Sequence, residues 1–344
     1  MRAVVLRNGE LVVAEQPEPV PGKGQLLVGT RTCGICGTDL HARHHIDGFL
    51  NGLKRSGSPL PTDPQRDVVF GHEFCGEVLD NGPETAGTFK PGTLVVGLPY
   101  VTGPKGADYV GYSNDYPGGF AERMVLTERL LFAVSNGLSP EHAALTEPFA
   151  IGEHAVERAR VPEGAVILVI GCGPIGLSVI AALKSRGLGP VVATDFSRAR
   201  RRFAEAIGAD EVVDAARETQ AEIWARLKPN RSRRAVAFEC VGRPGVVQKV
   251  IDELPRNALI VVVGNVLEES HIDQVVAFNK EIDICFTQNY HPAEFKATLD
   301  NIAEGRIDVA PVLTGVVAPE GVADAFEALA DPERHAKIVV TFDR

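Results

Sequence analysis

The feature that most limits how this chain can fold is a glycine-rich turn between an apolar strand and a helix. Residues 166–170 read Val-Ile-Leu-Val-Ile, and Gly171-Cys-Gly173-Pro-Ile-Gly176 follows them. Glycines at these three positions permit a tight turn, close approach of the backbone to a pyrophosphate and close packing of the helix on the strand. Asp195 ends the next apolar run, 19 residues after Gly176. Together these features predict a dinucleotide-binding βαβ unit.

Strands and helices alternate throughout the region that contains this turn. Strands are predicted at 165–170, 191–194, 211–213, 235–239, 259–263 and 282–287, with helices at 175–186, 198–207, 218–227 and 245–254. Such alternation is typical of a parallel sheet covered by helices. Six strands are enough for a complete doubly wound Rossmann sheet, so the predicted fold class is α/β.

The first 150 residues have a different character, with short apolar runs broken by glycine and proline. Strands predicted at 2–6, 11–14, 25–32, 68–78, 93–96 and 120–125 indicate a β-rich domain. The stretches 42–67 and 97–118 are rich in Gly, Pro and polar groups and do not fit this strand pattern. Long loops in a compact enzyme are often lids or pocket walls, but the sequence does not predict the conformation of these two stretches. The tail holds an amphipathic segment at 292–304 and a strand at 337–342, and it is expected to return to the first domain. The predicted domains are therefore 1–150 plus 291–344, and 151–290.

Composition limits the partners that the chain can have. Its 344 residues carry a net charge of −10, with 44% hydrophobic and 23% charged residues. This is ordinary for a globular protein and argues against a nucleic-acid partner. No apolar run reaches membrane-spanning length, and the N-terminus lacks a signal-peptide pattern. Since the six cysteines show no disulfide-framework spacing, we expect a cytoplasmic protein with mostly free thiols and no membrane partner.

Three separated segments offer a thiol, an imidazole and a carboxylate. They are Cys33-Gly-Ile-Cys36, Gly-His72-Glu73 and Leu-Thr-Glu147-Pro. Three protein ligands from dispersed positions are typical of a catalytic zinc, which keeps its fourth place for water or substrate. Cys36 is preferred to Cys33 as the thiolate, although a local Cys-x-x-Cys also occurs in redox sites and zinc knuckles. Glu73 is interpreted either as a direct fourth ligand during part of the cycle or as a nearby acid that tunes the metal's charge.

Residues next to Cys36 predict a route for a proton. Thr38 and His41 are spaced so that the hydroxyl takes a proton from the substrate alcohol and the imidazole delivers it to solvent through the cofactor ribose. Histidine suits this role because it titrates near neutral pH. Asp39 is the predicted partner that orients His72. Thr38, His41 and Glu73 are therefore the candidate catalytic residues.

The same sequence favours NAD over NADP. An acidic side chain at Asp195 can bond the ribose hydroxyls and repel a 2′-phosphate. Arg198, Arg200, Arg201 and Arg202 are a counter-signal, but they are interpreted mainly as a solvated helix face. The candidate cofactor residues are Gly171, Gly173, Pro174, Ile175, Gly176, Asp195 and Arg200.

These segments resemble the zinc-dependent medium-chain alcohol dehydrogenases, especially the branch that contains sorbitol, butanediol and threonine dehydrogenases. The resemblance rests on Cys33-Gly-Ile-Cys-Gly-Thr-Asp-Leu-His41, Gly71-His-Glu73, Gly118-Gly-Phe-Ala-Glu122, Glu147-Pro148 and the glycine turn. They occur in the family's order and span essentially the whole chain. The resemblance implies a GroES-like catalytic domain joined to a Rossmann domain, with the active site in the cleft between them.

The resemblance also implies an activity and its cofactors. Cys36, His72 and Glu147 become the expected zinc ligands, since Glu147-Pro148 stands where other branches place a Cys. The implied reaction is hydride transfer between a secondary alcohol or polyol, or its ketone, and NAD, with zinc polarising the alcohol oxygen. Many members carry a four-Cys structural zinc lobe at the place of residues 97–118, where this chain has no Cys. One catalytic zinc, no structural zinc and a homodimer or homotetramer are therefore expected.

Two other functions are weighed against this one. A zinc-free NADPH-dependent quinone or enone reductase of the same broad fold would not need Cys36, His72 and Glu147, and Asp195 argues against NADPH. A non-catalytic nucleotide-binding protein would share the fold, because fold alone does not secure function. The intact set of metal-ligand residues argues against it.

Overall fold

The computed structural model describes residues 1–58, 60–103, 106–227, 234–266 and 268–342. Nine strands and one long helix come first. They are β1 (Arg2–Arg7), β2 (Glu10–Glu15), β3 (Gln25–Gly34), α1 (Gly37–Arg55), β4 (Glu73–Asn81), β5 (Leu94–Gly97), β6 (Tyr100–Gly103), β7 (Gly106–Tyr109), β8 (Arg123–Thr127) and β9 (Leu131–Ala133).

Two helices then lead into an alternating region and a short tail. The helices are α2 (Pro140–Ala144) and α3 (Thr146–Ala159). The alternating elements are β10 (Val166–Ile170), α4 (Pro174–Ser185), β11 (Val191–Asp195), α5 (Arg198–Ala206), β12 (Glu211–Asp214), α6 (Gln220–Leu227), β13 (Ala235–Glu239), α7 (Val246–Glu253), β14 (Leu259–Val262), α8 (Gln274–Lys280) and β15 (Asp283–Phe286). The tail consists of α9 (Pro292–Ala303), β16 (Leu313–Val317), α10 (Val322–Ala330) and β17 (Lys337–Thr341).

The alternating region forms one six-stranded sheet in the order β12-β11-β10-β13-β14-β15. All five of its strand pairs are parallel. The buried strands β10, β13 and β14 are continuous apolar runs because helices cover both faces of the sheet. The predicted doubly wound sheet is confirmed, with strand ends displaced by at most one residue.

The first part of the chain forms a mixed sheet in the order β16-β17-β3-β4-β5-β9, with β8 also paired to β3. The C-terminal strand β17 lies antiparallel to β3, with Val339 opposite Gly34. The tail therefore returns to the first sheet, as predicted. Its return places Lys337 beside the residues that end β3 and begin β4.

Several segments differ from the prediction. The stretch 42–67 is not simply a loop, because α1 extends to Arg55 with a kink at His45. Its apolar residues Ala42, Ile46, Phe49 and Leu53 recur at helical spacing and contact the core. Polar residues and two glycines between them obscured this pattern. The stretch 97–118 contains the hairpin of β6 and β7.

Other helices and one strand boundary were also missed. The helices α2, α3, α8 and α10 had not been predicted, and neither had the strands β9 and β16. The strand predicted at 68–78 begins only at Glu73, because Gly71 has a φ of +106° and interrupts the extended chain. No helix among the described residues is both long and apolar enough to cross a membrane.

Candidate active site

The start of α1 fixes the position of Cys36. Cys36 is the N-cap residue with extended backbone angles, and its N–H donates to Asp39 Oδ2 at 3.0 Å. An acidic residue in the first turn satisfies a free N–H and favours the helix dipole. Cys33 has a different environment, since it is fully buried and a Cβ built on Gly71 would lie 2.8 Å from its Sγ. The structure therefore directs Cys36, rather than Cys33, to the site.

His72 and Glu73 come from the beginning of β4. Glu73 lies opposite Gly34 of β3, and any Cβ on Gly34 would overlap its carboxylate. Cys36, His72 and Glu73 offer ligand atoms that all lie within 4.8 Å of one another. A thiol, an imidazole and a carboxylate at this separation are a ligand set that zinc accepts.

The surroundings of His72 support the fit of a metal. Its Nδ1 is buried and has no hydrogen-bond partner among the described residues. Asp39 Oδ1 lies 3.5 Å from Nδ1, which is a charge contact rather than a good hydrogen bond. The same Asp39 oxygen accepts a 2.6 Å hydrogen bond from the Tyr112 hydroxyl. Asp39 is thus held beside Nδ1 of His72. Its orienting role stays a prediction, and in that role Nε2, the other ring nitrogen, would be the metal ligand.

Glu73 also has a cationic partner that the sequence analysis missed. Lys337 Nζ lies 2.8 Å from both carboxylate oxygens and donates to Ile35 O at 2.9 Å. Both side chains are buried. Burial lowers the pKa of Lys337, but the Glu73 carboxylate, acting together with Cys36 and Glu147, raises it overall, so the amine stays charged. A lysine within the apolar strand Ala-Lys-Ile-Val-Val was the available signal, because a buried charge requires a partner.

Glu147 lies to one side of this ligand set. It is in the first turn of α3 and is buried, and its Oε1 accepts a 2.9 Å hydrogen bond from the Tyr290 hydroxyl. Its carboxylate is not among the ligand atoms that cluster with Cys36 and His72. Of the two glutamates, the structure places Glu73 closer to the thiol and the imidazole.

The charges around the site favour a bound cation. Burial raises the pKa of the Cys36 thiol, and the Glu73 carboxylate raises it further. Burial also raises the pKa of Glu147 to about 7, opposed by His72 and reinforced by Glu73. A divalent cation stabilises the deprotonated forms of such groups. The residues present therefore fit zinc.

Four of the chain's five tyrosines surround the same site. The rings of Tyr112 and Tyr109 lie 5.5 and 6.0 Å from the His72 ring, and the Tyr100 ring lies 4.9 Å from that of Tyr109. The fourth is Tyr290, which bonds Glu147. Three of these tyrosines fall between residues 100 and 112, a concentration that the sequence analysis did not use.

Two of the tyrosine hydroxyls keep free hydrogen-bonding capacity. Asn289, which has a φ of +58°, donates from Nδ2 to the Tyr100 hydroxyl at 2.9 Å. Since a phenol can accept and donate at once, the proton of Tyr100 remains available. The hydroxyl of Tyr109 has no hydrogen-bond partner within the described ranges, and its residue is only partly buried.

Thr38 and His41 lie on one face of α1, close to its start. They are three residues apart in the helix, so their side chains are neighbours. Thr38 is partly buried and His41 is exposed. This order, from the cysteine outward to solvent, is the order that the predicted relay needs.

The glycine turn joins β10 to α4, and each glycine has a separate spatial reason. Gly171 has a φ of +92°, and a Cβ on it would lie 2.8 Å from Val241 Cγ2. A Cβ on Gly176 would overlap the carbonyl oxygen of Gly171. Around Gly173 there is open space, and Gly173 caps α4 with Pro174 and Ile175 in its first turn. This space at a helix N-terminus fits a pyrophosphate.

Asp195 and Arg200 both lie near that space. Asp195 accepts 2.8 Å hydrogen bonds from the backbone N–H groups of Cys172 and Ser197. A carboxylate retains further acceptor sites for ribose hydroxyls. Arg200 Cζ and Nη1 would be 4.0 Å from a Cβ on Gly173, and its buried Nε has no hydrogen-bond partner among the described residues. Arg201 is instead paired with Asp214 at 3.1 Å.

Comparisons with known proteins agree with this arrangement. Residues 22–136 match the alcohol dehydrogenase GroES-like domain, and residues 174–304 match the zinc-binding dehydrogenases. The chain is 33% identical to (R,R)-butanediol dehydrogenase of Bacillus subtilis, over 95% of this chain and 94% of that protein. It belongs to the zinc-dependent medium-chain alcohol dehydrogenase family. Sorbitol dehydrogenase of Bacillus subtilis is 30% identical over 95% of this chain and 93% of that protein, which indicates the polyol branch.

A solved structure extends the agreement to the fold of this alcohol dehydrogenase. The crystal structure of 2R,3R-butanediol dehydrogenase from Bacillus subtilis superposes with a TM-score of 0.83 at 29% identity, covering 99% of both chains. The predicted GroES-like domain with a Rossmann sheet is therefore confirmed. The protein is a zinc-dependent oxidoreductase that acts on the CH–OH group of a small alcohol or on the corresponding ketone, with a nicotinamide cofactor.

Proposed function

We propose that this alcohol dehydrogenase oxidises a secondary alcohol group of a vicinal diol or linear polyol with NAD. The observation that carries the proposal is the convergence of Cys36, His72 and Glu73 within a wall of tyrosines that keeps free hydroxyl groups. When bound, zinc polarises the alcohol oxygen and the nicotinamide ring accepts the hydride. The named relatives act on butanediol and sorbitol, which are both polyhydric alcohols.

Cys36 and His72 are the proposed zinc ligands, and one glutamate completes the protein set. The Glu73 carboxylate lies within 4.8 Å of the ligand atoms of Cys36 and His72. The Glu147 carboxylate lies outside this group and accepts a hydrogen bond from the Tyr290 hydroxyl. The ammonium group of Lys337 neutralises part of the negative charge of Glu73. We therefore assign Glu73 as the carboxylate that would hold the metal, and Glu147, which accepts a hydrogen bond from Tyr290, as the alternative carboxylate. Metal content in Glu73→Gln and Glu147→Gln distinguishes them, because only loss of the ligating group should lower zinc affinity strongly.

Thr38 and His41 are the proposed relay. The Thr38 hydroxyl accepts the proton of the substrate alcohol and donates its own, and the exposed His41 imidazole passes the proton to solvent. Their adjacent placement on α1 supports this order. His41→Ala should lower the rate of alcohol oxidation without changing metal content, and small soluble imidazole should restore part of the rate. Lost metal in this variant would contradict the assignment.

The second hydroxyl of the substrate is assigned to Tyr109 and Tyr100. Tyr109 offers an unused phenol, and Tyr100 offers its proton because Asn289 occupies its acceptor side. One net hydrogen bond contributes on the order of 1 kcal/mol, so kcat/KM for a vicinal diol should exceed kcat/KM for the matching monohydric alcohol by about fivefold. The test compares 2,3-butanediol and sorbitol with 2-butanol by NADH absorbance, using wild type and Tyr109→Phe. Equal values for diol and monohydric alcohol would overturn the polyol assignment.

NAD rather than NADP is the proposed cofactor. The negative charge of Asp195 would repel the 2′-phosphate of NADP. The Arg200 guanidinium, which lies near Gly173, can donate hydrogen bonds to the ribose of NAD. We expect kcat/KM for NAD to exceed that for NADP by about a hundredfold or more, a difference of roughly 2.7 kcal/mol. Asp195→Ser should narrow the difference. A preference for NADP in the wild type would contradict the proposal.

A homodimer formed at the edge of the six-stranded sheet is also proposed. The strand β15 ends the sheet, and Val275, Phe278 and Phe286 are exposed beside it at 68%, 81% and 64%. Exposed strand edges and apolar patches of this kind are natural interfaces. Two copies can pair their β15 strands across a twofold axis.

The dimer can be tested by measuring the molar mass of the assembly with light scattering as the protein elutes from a size-exclusion column. Phe278→Glu should shift the assembly toward monomer. Phe196 is also exposed, at 69%, and it follows β11, which lies four strands away from β15 in the sheet, so Phe196→Glu provides the control. Dissociation by the control alone would contradict this interface.

A cytoplasmic location and the domain limits at 150 and 291 also stay predictions. The six free cysteines support the cytoplasmic location.

A further inference from the structure

A second cluster of metal-ligand side chains lies away from the active-site group. His154 is on α3, and His291 and Glu294 are at the start of α9. Their ligand atoms all lie within 4.8 Å of one another. His154 is only 8% exposed, whereas His291 is exposed and opens the cluster to solvent.

The geometry of the cluster is close to that of a coordination sphere. His154 Nδ1 lies 2.9 and 3.1 Å from the two Glu294 oxygens, and the two imidazole rings are 5.4 Å apart at 78°. Ligand atoms about 2.1 Å from an ion and at right angles to each other are about 3 Å apart. A modest turn of the exposed His291 side chain would therefore complete a three-ligand face.

The charge of the cluster is also suitable. Glu294 is paired with His154 and with no lysine or arginine of the described ranges. The nearest basic residue on α3, Arg158, directs its Nη2 to Phe286 O and Cys285 Sγ instead. Glu294 also accepts the His291 N–H at 2.6 Å, as a helix cap. That cap is reciprocal, since the His291 side chain faces the backbone N–H of Glu294 in turn. The cap occupies at most one nitrogen of the His291 ring, and an imidazole has two.

We propose that His154, His291 and Glu294 form a second metal site, which binds a divalent transition ion such as Zn²⁺, Co²⁺ or Ni²⁺. Two imidazoles and one carboxylate are a ligand set that these ions prefer over Mg²⁺ or Ca²⁺. The open side leaves room for water, so the site exchanges its ion with solvent. Metal binding requires neutral imidazoles, because a protonated ring nitrogen cannot bind the ion.

The position of this site connects it to the active site. His154 follows Glu147 by seven residues on α3, which is about 10 Å along the helix. His291 directly follows Tyr290, whose hydroxyl bonds Glu147. An ion held between α3 and α9 would therefore fix the two elements that position the Glu147–Tyr290 pair.

The test counts metal ions in the whole protein. Wild type, His291→Ala and His154→Gln are dialysed against micromolar Zn²⁺ or Co²⁺ and their metal content is measured. We expect two ions per chain in wild type and one in each variant. The matched control is His271→Ala, which removes an exposed histidine outside the cluster and should keep two ions. His291→Ala alters an exposed side chain, so its fold should be unaffected, and circular dichroism checks this.

Cobalt spectra separate this site from the active site. Cobalt bound to Cys36 should give a thiolate charge-transfer band, whereas cobalt bound to nitrogen and oxygen ligands should not. In His291→Ala the charge-transfer band should persist while the second equivalent is lost. One ion per chain in the wild type, or two ions in both His154→Gln and His291→Ala, would overturn the proposal. Neither result depends on whether the active site turns over a polyol.

Discussion

The buried pair of Lys337 and Glu73 allows a sharp test of how the site is held together. Lys337 Nζ makes two 2.8 Å contacts to Glu73 and donates to Ile35 O at 2.9 Å. Lys337→Met keeps an unbranched side chain of similar length and removes the charge. Glu73, which has no exposed surface, is then left without its cation. Breaking one side of a buried pair costs about 3–5 kcal/mol.

A bound zinc should offset part of this loss. If Glu73 faces the metal together with Cys36 and His72, the ion supplies the missing positive charge. The destabilisation in zinc-loaded protein should therefore be smaller than in metal-free protein by at least about 1.4 kcal/mol. By thermodynamic linkage, the zinc affinity of the folded Lys337→Met variant should exceed that of the folded wild type by about tenfold or more. Urea unfolding followed by circular dichroism, with and without zinc, measures both effects.

Two control variants complete this experiment. Lys184→Met removes a partly exposed lysine that contacts Asp210 at 2.8 Å, and it should cost about 0–1 kcal/mol with no dependence on zinc. The double variant Lys337→Met with Glu73→Gln removes both charges and should recover much of the stability of the metal-free protein. An equal loss for Lys337→Met with and without zinc would refute the idea that Glu73 faces the metal.

Three further predictions concern the cofactor, the substrate site and the pH dependence of stability. Gly176→Ala places a Cβ on the Gly171 carbonyl, so we expect the KM for NAD to rise about tenfold or more, measured by initial rates. Tyr290→Phe removes the hydrogen bond to Glu147 and should lower kcat/KM by about tenfold, whereas an unchanged value would contradict its positioning role. Glu128 is buried, which raises its pKa, but hydrogen bonds from the Thr88 and Ala86 N–H groups outweigh burial and lower it overall. Glu128→Gln should thus cost about 1–3 kcal/mol at pH 7, and the difference should vanish as pH falls through the native pKa, below the ordinary range near 4.5.

Local patterns were sufficient for the Rossmann sheet. The strands β10, β13 and β14 are buried on both faces and therefore appear as continuous apolar runs bounded by turn residues. The glycine turn depends on steric requirements within a few residues, so it is also visible in the sequence. For the same reason, Cys36 and His72 could be selected as ligand candidates from short segments.

Contacts between residues far apart in the chain could not be predicted from local sequence patterns. Lys337 meets Glu73 across 264 positions of the chain, and Tyr290 meets Glu147 across 143. No local period encodes such pairings, since they depend on how β17 and α9 return to the earlier elements. The helix α1 was missed for another reason: its apolar face is narrow and a kink at His45 divides it.

The most direct test of the central claim measures zinc content, dinucleotide binding and activity in Cys36→Ser. The account predicts that this variant loses its active-site zinc and its NAD-dependent oxidation of 2,3-butanediol or sorbitol together, while NADH still binds at the glycine turn with near wild-type affinity. Retention of active-site zinc with full oxidation of the alcohol would contradict the assignment of Cys36 and, with it, the proposed site.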